Sequence, residues 1–224
     1  MKFREYPDRE MMMMALADRM ASELGASLRQ NDFATLAVPG GTTPGPVFDS
    51  LSAVPLDWAR VRVMLTDERW VPETSERSNT RLLRERLLVD RAAAATLLPL
   101  CADAEVPEDR LDDLSGAISA ALPISVLLLG MGADMHTASL FPGADHLAGA
   151  LADDAPELMA LRAPGAPEPR VTLTARVLRD ALNIHVLITG AEKRAALEKA
   201  AKLGDPMQAP VAAILKDATV HWAE

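Results

Sequence analysis

The stretch LLLGMGADMHTASLFPG, Leu127 to Gly143, decides how the chain is read. With the residues before it, Ile124 to Leu129 forms an apolar run that reads as a buried strand. The run empties into a glycine-broken loop carrying Asp134, His136, Thr137 and Ser139. Open α/β sheets place their chemistry at such strand ends, where the chain leaves the sheet and polar groups gather beyond its edge. His136 is one of four histidines in the chain, and on its own it also reads as a structural residue. No metal site is expected: one histidine beside one aspartate is too few, His146 lies ten residues on, and HxH, HExxH and cysteine clusters are absent. Thr137 or Ser139 reads as a cap for the following turn. A nucleophilic role for Ser139 is poorly supported, because no GxSxG elbow surrounds it.

Outward from this stretch, strands and helices alternate. Helical periodicity runs from Met11 to Leu28, with Met13, Leu16, Ala17, Met20 and Leu24 on one face. Strands are expected at Ala34–Val38, Arg60–Leu65, Leu97–Leu100, Leu158–Arg162 and Ile184–Ile188. Helices are expected at Thr43–Leu51, Asn79–Leu88, Pro107–Ala121, Thr174–Leu182 (with Thr174 as N-cap) and Ala191–Leu203, closed by Gly204. Val211–Leu215 and Thr219–Trp222 finish the chain. The alternation predicts βαβ units: an α/β fold with a doubly wound, mostly parallel sheet, in a single domain over residues 1–224.

Composition bounds the partners. Of 224 residues, 49% are hydrophobic, enough for a sizeable core. The net charge of −9 argues against a nucleic-acid surface, which needs clustered Lys and Arg, but leaves room for a small anionic substrate held by a few local cations. Cys101 is the only cysteine, so no intramolecular disulfide forms, which fits a reducing compartment. The Met11–Met14 run is too short for a membrane span and is soon followed by Asp18 and Arg19. A soluble cytoplasmic protein with no membrane partner, monomeric or a small homo-oligomer, is expected.

Three further places hand over polar groups. Gly40-Gly41-Thr42-Thr43-Pro44 follows a strand and leads into a helix, an arrangement that suits a phosphate and, taken alone, equally suits a tight turn. It is neither a Walker A loop nor a GxGxxG motif. Asp67 and Arg69, after the Val61–Leu65 run, face one crevice if the strand continues; a structural ion pair beside a core Trp70 is the other reading. Arg170 precedes a helix start, and Lys193 lies in the first turn of a helix, where the dipole disfavours a cation unless an anion binds nearby.

Together these motifs resemble the 6-phosphogluconolactonase family, within the wider glucosamine-6-phosphate isomerase/deaminase-like, Rossmann-like group. Gly40–Pro44 matches its Gly-Gly-Ser/Thr-x-Pro loop, and Asp67–Pro72 with Ser78-Asn79 matches its Asp-Glu-Arg-x-Val-Pro and Ser-Asn elements. Leu129–Gly143 matches its Leu-Gly-x-Gly-x-Asp-Gly-His-Thr-Ala-Ser-Leu-Phe-Pro-Gly motif at every stated position but one. Arg170-Val171-Thr172 and Gly190 with Lys193 match the later motifs, in the family's order. The resemblance implies hydrolysis of 6-phospho-D-glucono-1,5-lactone to 6-phosphogluconate in the oxidative pentose phosphate pathway, without cofactor or metal. It implies His136 as general base, Asp134 as a residue that orients the imidazole or its loop, and catalytic placement of Asp67 and Arg69. Gly40, Gly41, Thr42, Thr43, Arg69, Arg170 and Lys193 would bind substrate or its phosphate. The deaminase branch, and a sugar-phosphate binding protein of weak activity, are the alternatives. Against the former, no glutamate follows His136 until Glu157. The one departure is Met135, where the family has glycine. It leaves three readings open: a tolerated change, a pocket altered by a bulky side chain beside His136, or a weakened enzyme.

Overall fold

The computed structural model describes residues 1–224 and opens on a strand that periodicity does not reveal, β1 (Lys2–Glu5). All four of its residues are exposed, so it carries no apolar alternation; Lys2, Arg4 and Glu5 blunt it as a sheet edge. In helix α1 (Arg9–Leu28) the Asp8 carboxylate caps the first turn, accepting from Met11 N at 2.8 Å. Its expected face, Met13, Leu16, Ala17, Met20 and Leu24, is buried. There follow β2 (Ala34–Val38), α2 (Gly45–Ser52), β3 (Val61–Leu65), β4 (Asp67–Arg69), α3 (Asn79–Arg86), β5 (Thr96–Leu98), α4 (Leu111–Ser119), β6 (Val126–Gly130) and α5 (Leu147–Leu151). The chain continues through β7 (Leu158–Leu161), β8 (Arg170–Leu173), α6 (Ala175–Arg179), β9 (Ile184–Thr189), α7 (Gly190–Leu203), α8 (Ala212–Leu215) and β10 (Thr219–Ala223).

Seven strands form one sheet in the order β1-β10-β9-β6-β2-β3-β5, every neighbouring pair parallel. Strand β2 is buried at all five positions, as expected when helices cover both faces of a parallel sheet. The chain winds outward from β2 to β3 and β5, then crosses to β6, β9 and β10 on the other side. The loops leaving β2 and β6 therefore diverge, and a crevice opens at their carboxyl ends.

A second sheet, β4-β8-β7, is antiparallel and pairs Asp67 with Thr172 and Arg69 with Arg170. Arg170 opens the strand that leads into α6, and Thr174 stands at the N-cap position of that helix as expected, although its hydroxyl donates to Pro156 O at 2.7 Å and makes no capping bond. The expected helix over Pro107–Ala121 is also split, since Arg110 leaves helical geometry at φ −127° and separates the 3-10 turn Pro107–Asp109 from α4. No helix is long and apolar enough to cross a membrane.

Two histidines are spent on the far side of the sheet. Tyr6 Oη lies 2.8 Å from His221 Nδ1, His221 Nε2 lies 3.1 Å from His185 Nδ1, and His185 Nε2 lies 2.7 Å from Glu23 Oε2. With both rings neutral, one proton arrangement satisfies the whole chain: Tyr6 donates to His221, His221 to His185, and His185 to Glu23. Burial opposes the Glu23 charge, but hydrogen bonds from His185 and Arg19 hold its carboxyl below the usual value. Burial, with the charges of His185, Arg4 and Arg19 around it, pushes His221 down to about 3. The folded value thus lies below the unfolded one, about 6.5, so between these limits the unfolded chain binds more protons and stability is lost as pH falls. Thermal unfolding followed from pH 8 to pH 4 should show Tm falling below about pH 6.5, the unfolded histidine value, by an amount worth a few kcal/mol. His221→Gln should flatten that slope; an unchanged slope would remove His221 as its source.

Candidate active site

Strand β4 delivers two side chains to the crevice because residues alternate along a strand. Asp67 and Arg69 face the cavity, while Glu68 between them turns to the other side and is 1% exposed. The Glu68 carboxylate accepts from Arg69 N at 2.8 Å, Asn79 N at 2.8 Å, Thr80 N at 2.7 Å, Thr80 Oγ1 at 2.7 Å and Ser78 Oγ at 3.2 Å. Two of these donors are N–H groups of the first turn of α3, which have no partner inside the helix. The helix start is thereby tied to β4, and Asn79 is brought to the cavity wall, with Nδ2 donating to Asp67 O at 3.1 Å. Gly40 must lack a side chain here, since a Cβ would sit 2.0 Å from Asn79 Oδ1.

The loop after β6 folds back on itself. Thr137 Oγ1 donates to Gly130 O at 2.8 Å, and Gly132 N donates to His136 O at 3.0 Å. This lays the Asp134–His136 pair over Gly132, where a Cβ would come within 2.2 Å of the imidazole. His136 Nδ1 lies 2.6 Å from Asp134 Oδ1. A carboxylate only accepts, so Nδ1 carries the proton of the neutral ring and Nε2 the lone pair. The Phe141 ring packs on the imidazole at 4.2 Å between centroids and lies 5.6 Å from the Arg170 guanidinium.

Cations line the rest of the wall. Arg69 and Arg170 stand directly opposite each other on antiparallel strands, a placement that sets like charges against one another. Asp67 Oδ2, 3.9 Å from Arg170 Nη1, offsets part of this. Burial depresses the Arg170 guanidinium below its ordinary value; Asp67 opposes that shift and Arg69 adds to it. The Nε atoms of both arginines are buried with no hydrogen-bond partner. Lys193, in the first turn of α7, makes no ion pair and lies on the same wall as Gly41, at the carboxyl end of β2. Crowded positive charge, three cations against the single carboxylate of Asp67 with Lys193 at a helix start, is what an anion would resolve.

The cavity so formed has a volume of about 370 Å³. Gly40, Gly41, Thr43, Asp67, Arg69, His136, Arg170 and Lys193 all line it. Thr42 does not; its carbonyl is taken by Gly45 N at 3.2 Å and the residue is exposed. Asp134 stands off the wall, beside His136. Asn79, Ala138 and Phe141 line the cavity without having been singled out as site residues; Asn79 was read as a helix start and as part of the family's Ser-Asn element, with no role at the site. No group of three or more His, Cys, Asp or Glu side chains is arranged to hold a metal ion. Met135 does adopt the left-handed region, at φ 69°, yet its side chain is 8% exposed, packs into the core and forms no part of the wall. The reading in which its bulk alters the pocket is therefore corrected.

A crevice with a paired imidazole and a bank of unneutralised cations places the chain among α/β enzymes that act on small phosphorylated molecules. It belongs to the family described as Glucosamine-6-phosphate isomerases/6-phosphogluconolactonase, whose model matches residues 7–222. The 6-phosphogluconolactonase of Rhizobium meliloti (strain 1021) is 42% identical over 215 residues, covering 93% of each chain. A crystal structure of a 6-phosphogluconolactonase from Shewanella baltica OS155 superposes with a TM-score of 0.96 at 32% identity, covering 100% of this chain and 97% of that one. A monomeric glucosamine-6-phosphate deaminase, at 16% identity and a TM-score of 0.82 over 100% and 98% of the two chains, shares the fold alone.

Met135→Gly should release left-handed strain of about 1 kcal/mol but remove a buried side chain whose loss costs roughly 2–5 kcal/mol. The expected outcome is a lower Tm with the affinity for inorganic phosphate unchanged, read by thermal unfolding and calorimetric titration. A changed affinity with an unchanged Tm would put the side chain back in the pocket.

Proposed function

We propose that the chain hydrolyses 6-phospho-D-glucono-1,5-lactone to 6-phosphogluconate, as a cytoplasmic step of the oxidative pentose phosphate pathway, with His136 as general base. The observation that carries this reading is the His136 Nδ1–Asp134 Oδ1 bond of 2.6 Å, which leaves Nε2 as the basic nitrogen at the mouth of a cation-lined cavity. Nε2 takes a proton from water as the oxygen attacks the lactone carbonyl. The resulting imidazolium is stabilised by Asp134, and it returns the proton to the ring oxygen as that oxygen leaves. Arg170, as a planar fork, and Lys193, as a point charge, hold the 6-phosphate with the Gly40–Thr43 loop. Arg69 adds charge that favours both the phosphate and the oxyanion growing at the carbonyl. Asp67, the carboxylate on the wall, accepts from the sugar hydroxyls. A lactone is an activated ester, so this route needs only water and these side chains.

The deaminase reading is disfavoured by a specific observation. Glu157, the first glutamate after His136, lies 3.4 Å from Arg176 and is not on the cavity wall. Lactone consumption measured above the spontaneous rate tests the proposal directly. His136→Ala should lower kcat by roughly 10²–10⁴-fold with Tm preserved; near-normal turnover would reject the base. Lys193→Ala should raise KM for the phosphorylated lactone and leave an unphosphorylated lactone unaffected. Equal losses on both would take Lys193 away from the phosphate.

A further inference from the structure

Asp67 is reached from behind by a residue the mechanism has not used. Ser139 is fully buried and lies off the cavity wall, and its hydroxyl donates to Asp67 Oδ2 at 2.6 Å. The two residues are 72 positions apart: Ser139 belongs to the His136 loop and Asp67 to β4. Around this bond the supports are dense. Ser139 N donates to Thr172 Oγ1 at 3.2 Å, and Thr172 sits opposite Asp67 in the β4–β8 ladder. The other carboxylate oxygen, Oδ1, accepts from Thr66 Oγ1 at 3.2 Å.

The loop is bent to make the contact. Ala138, next to Ser139 in sequence, adopts φ 48°, which is unfavourable for a residue with a Cβ. The turn is closed by Leu140 N donating to Thr137 O at 3.0 Å. Its effect is to leave Ala138 on the wall while Ser139 turns inward onto Asp67. Strain that recurs at a site of this kind persists because the surrounding contacts over-determine it.

We propose that Ser139 is a positioning residue: its hydroxyl fixes the rotamer of Asp67 and joins that carboxylate to the His136 loop, so that the sugar-binding carboxylate and the general base are held as one unit. Three physical arguments support it. The hydroxyl cannot act on substrate, because it is buried and its proton is committed to Asp67. A hydroxyl donating to a carboxylate at this distance is a charge-assisted bond, stronger than a neutral one. And Arg170, 3.9 Å from the same Oδ2, is too far to fix the carboxylate by a hydrogen bond, whereas Ser139 at 2.6 Å is close enough to do so.

The inference rests on the lactonase reading, and the test separates the two. Steady-state kinetics on the phosphorylated lactone would be measured for wild type, Ser139→Ala, Asp67→Asn and the double variant, with Tm recorded for each. Ser139→Ala is expected to fold and to lose roughly tenfold in kcat/KM, the effect of one hydrogen bond to a charged group. It should move the same parameter, kcat or KM, as Asp67→Asn. Combined with Asp67→Asn it should add nothing further, whereas combined with Lys193→Ala its effect should multiply. Independent, multiplying losses in the Asp67 background, or wild-type kinetics in Ser139→Ala, would overturn the proposal. If Ser139→Ala does not fold, Ser139→Cys takes its place in the same cycle, retaining volume with a weak donor. Absence of lactone turnover in the wild type would overturn the function itself, and is told apart from these outcomes because it appears before any substitution is made.

Discussion

The buried carboxylate of Glu68 is the fixed point from which the cavity is built. A carboxyl group at 1% exposure is stable only when its desolvation is met by good geometry, and five donors converge on it. Two of them are the first backbone N–H groups of α3, so the helix start and the carboxylate satisfy each other. Because Glu68 faces away from the crevice, strand alternation obliges Asp67 and Arg69 to face into it. The same anchorage presents Asn79 to the wall and explains why Gly40 opposite has no room for a side chain. One hidden carboxylate thus sets the direction of Asp67, Arg69 and Asn79 on the cavity wall.

The site is electrostatically unfinished by itself, and this is its functional content. A chain of net charge −9 gathers Arg69, Arg170 and Lys193 around about 370 Å³, against one wall carboxylate. The cross-strand register leaves the two arginines opposed, with buried Nε atoms unpartnered. An anion that accepts from the two guanidinium groups would relieve this opposition. Three cations against one carboxylate give the crevice a local positive excess within a chain of negative net charge.

Much of the fold was legible because the central strands are apolar on both faces. Ala34–Val38 and Ile184–Ile188 announce themselves as continuous runs, and Met11–Leu28 as a helix of period 3.6. What escaped is what lacks that pattern. Strand β1 is fully exposed, and β4 and β8 begin or consist of charged residues whose strand character comes from pairing with each other. The candidate site follows the same division. His136, Asp67, Arg69, Arg170 and Lys193 stand at strand ends or first turns with distinctive spacing. Ser139 and Asn79 look, in sequence, like ordinary caps, and their partners lie 72 and 12 residues away.

By itself the sequence determined the doubly wound sheet, the family, and which ionisable residues meet at its carboxyl edge. Local hydrophobic period and motif order carry that information along the chain. Only the tertiary structure decided how those residues face. It set Asp134 against His136 Nδ1 and opposed Arg69 to Arg170. It turned Met135 into the core while leaving its backbone left-handed, and placed Ser139 behind Asp67. The physical reason is that orientation depends on register between distant strands and on whether a side chain has room, and neither is written in the spacing of nearby residues.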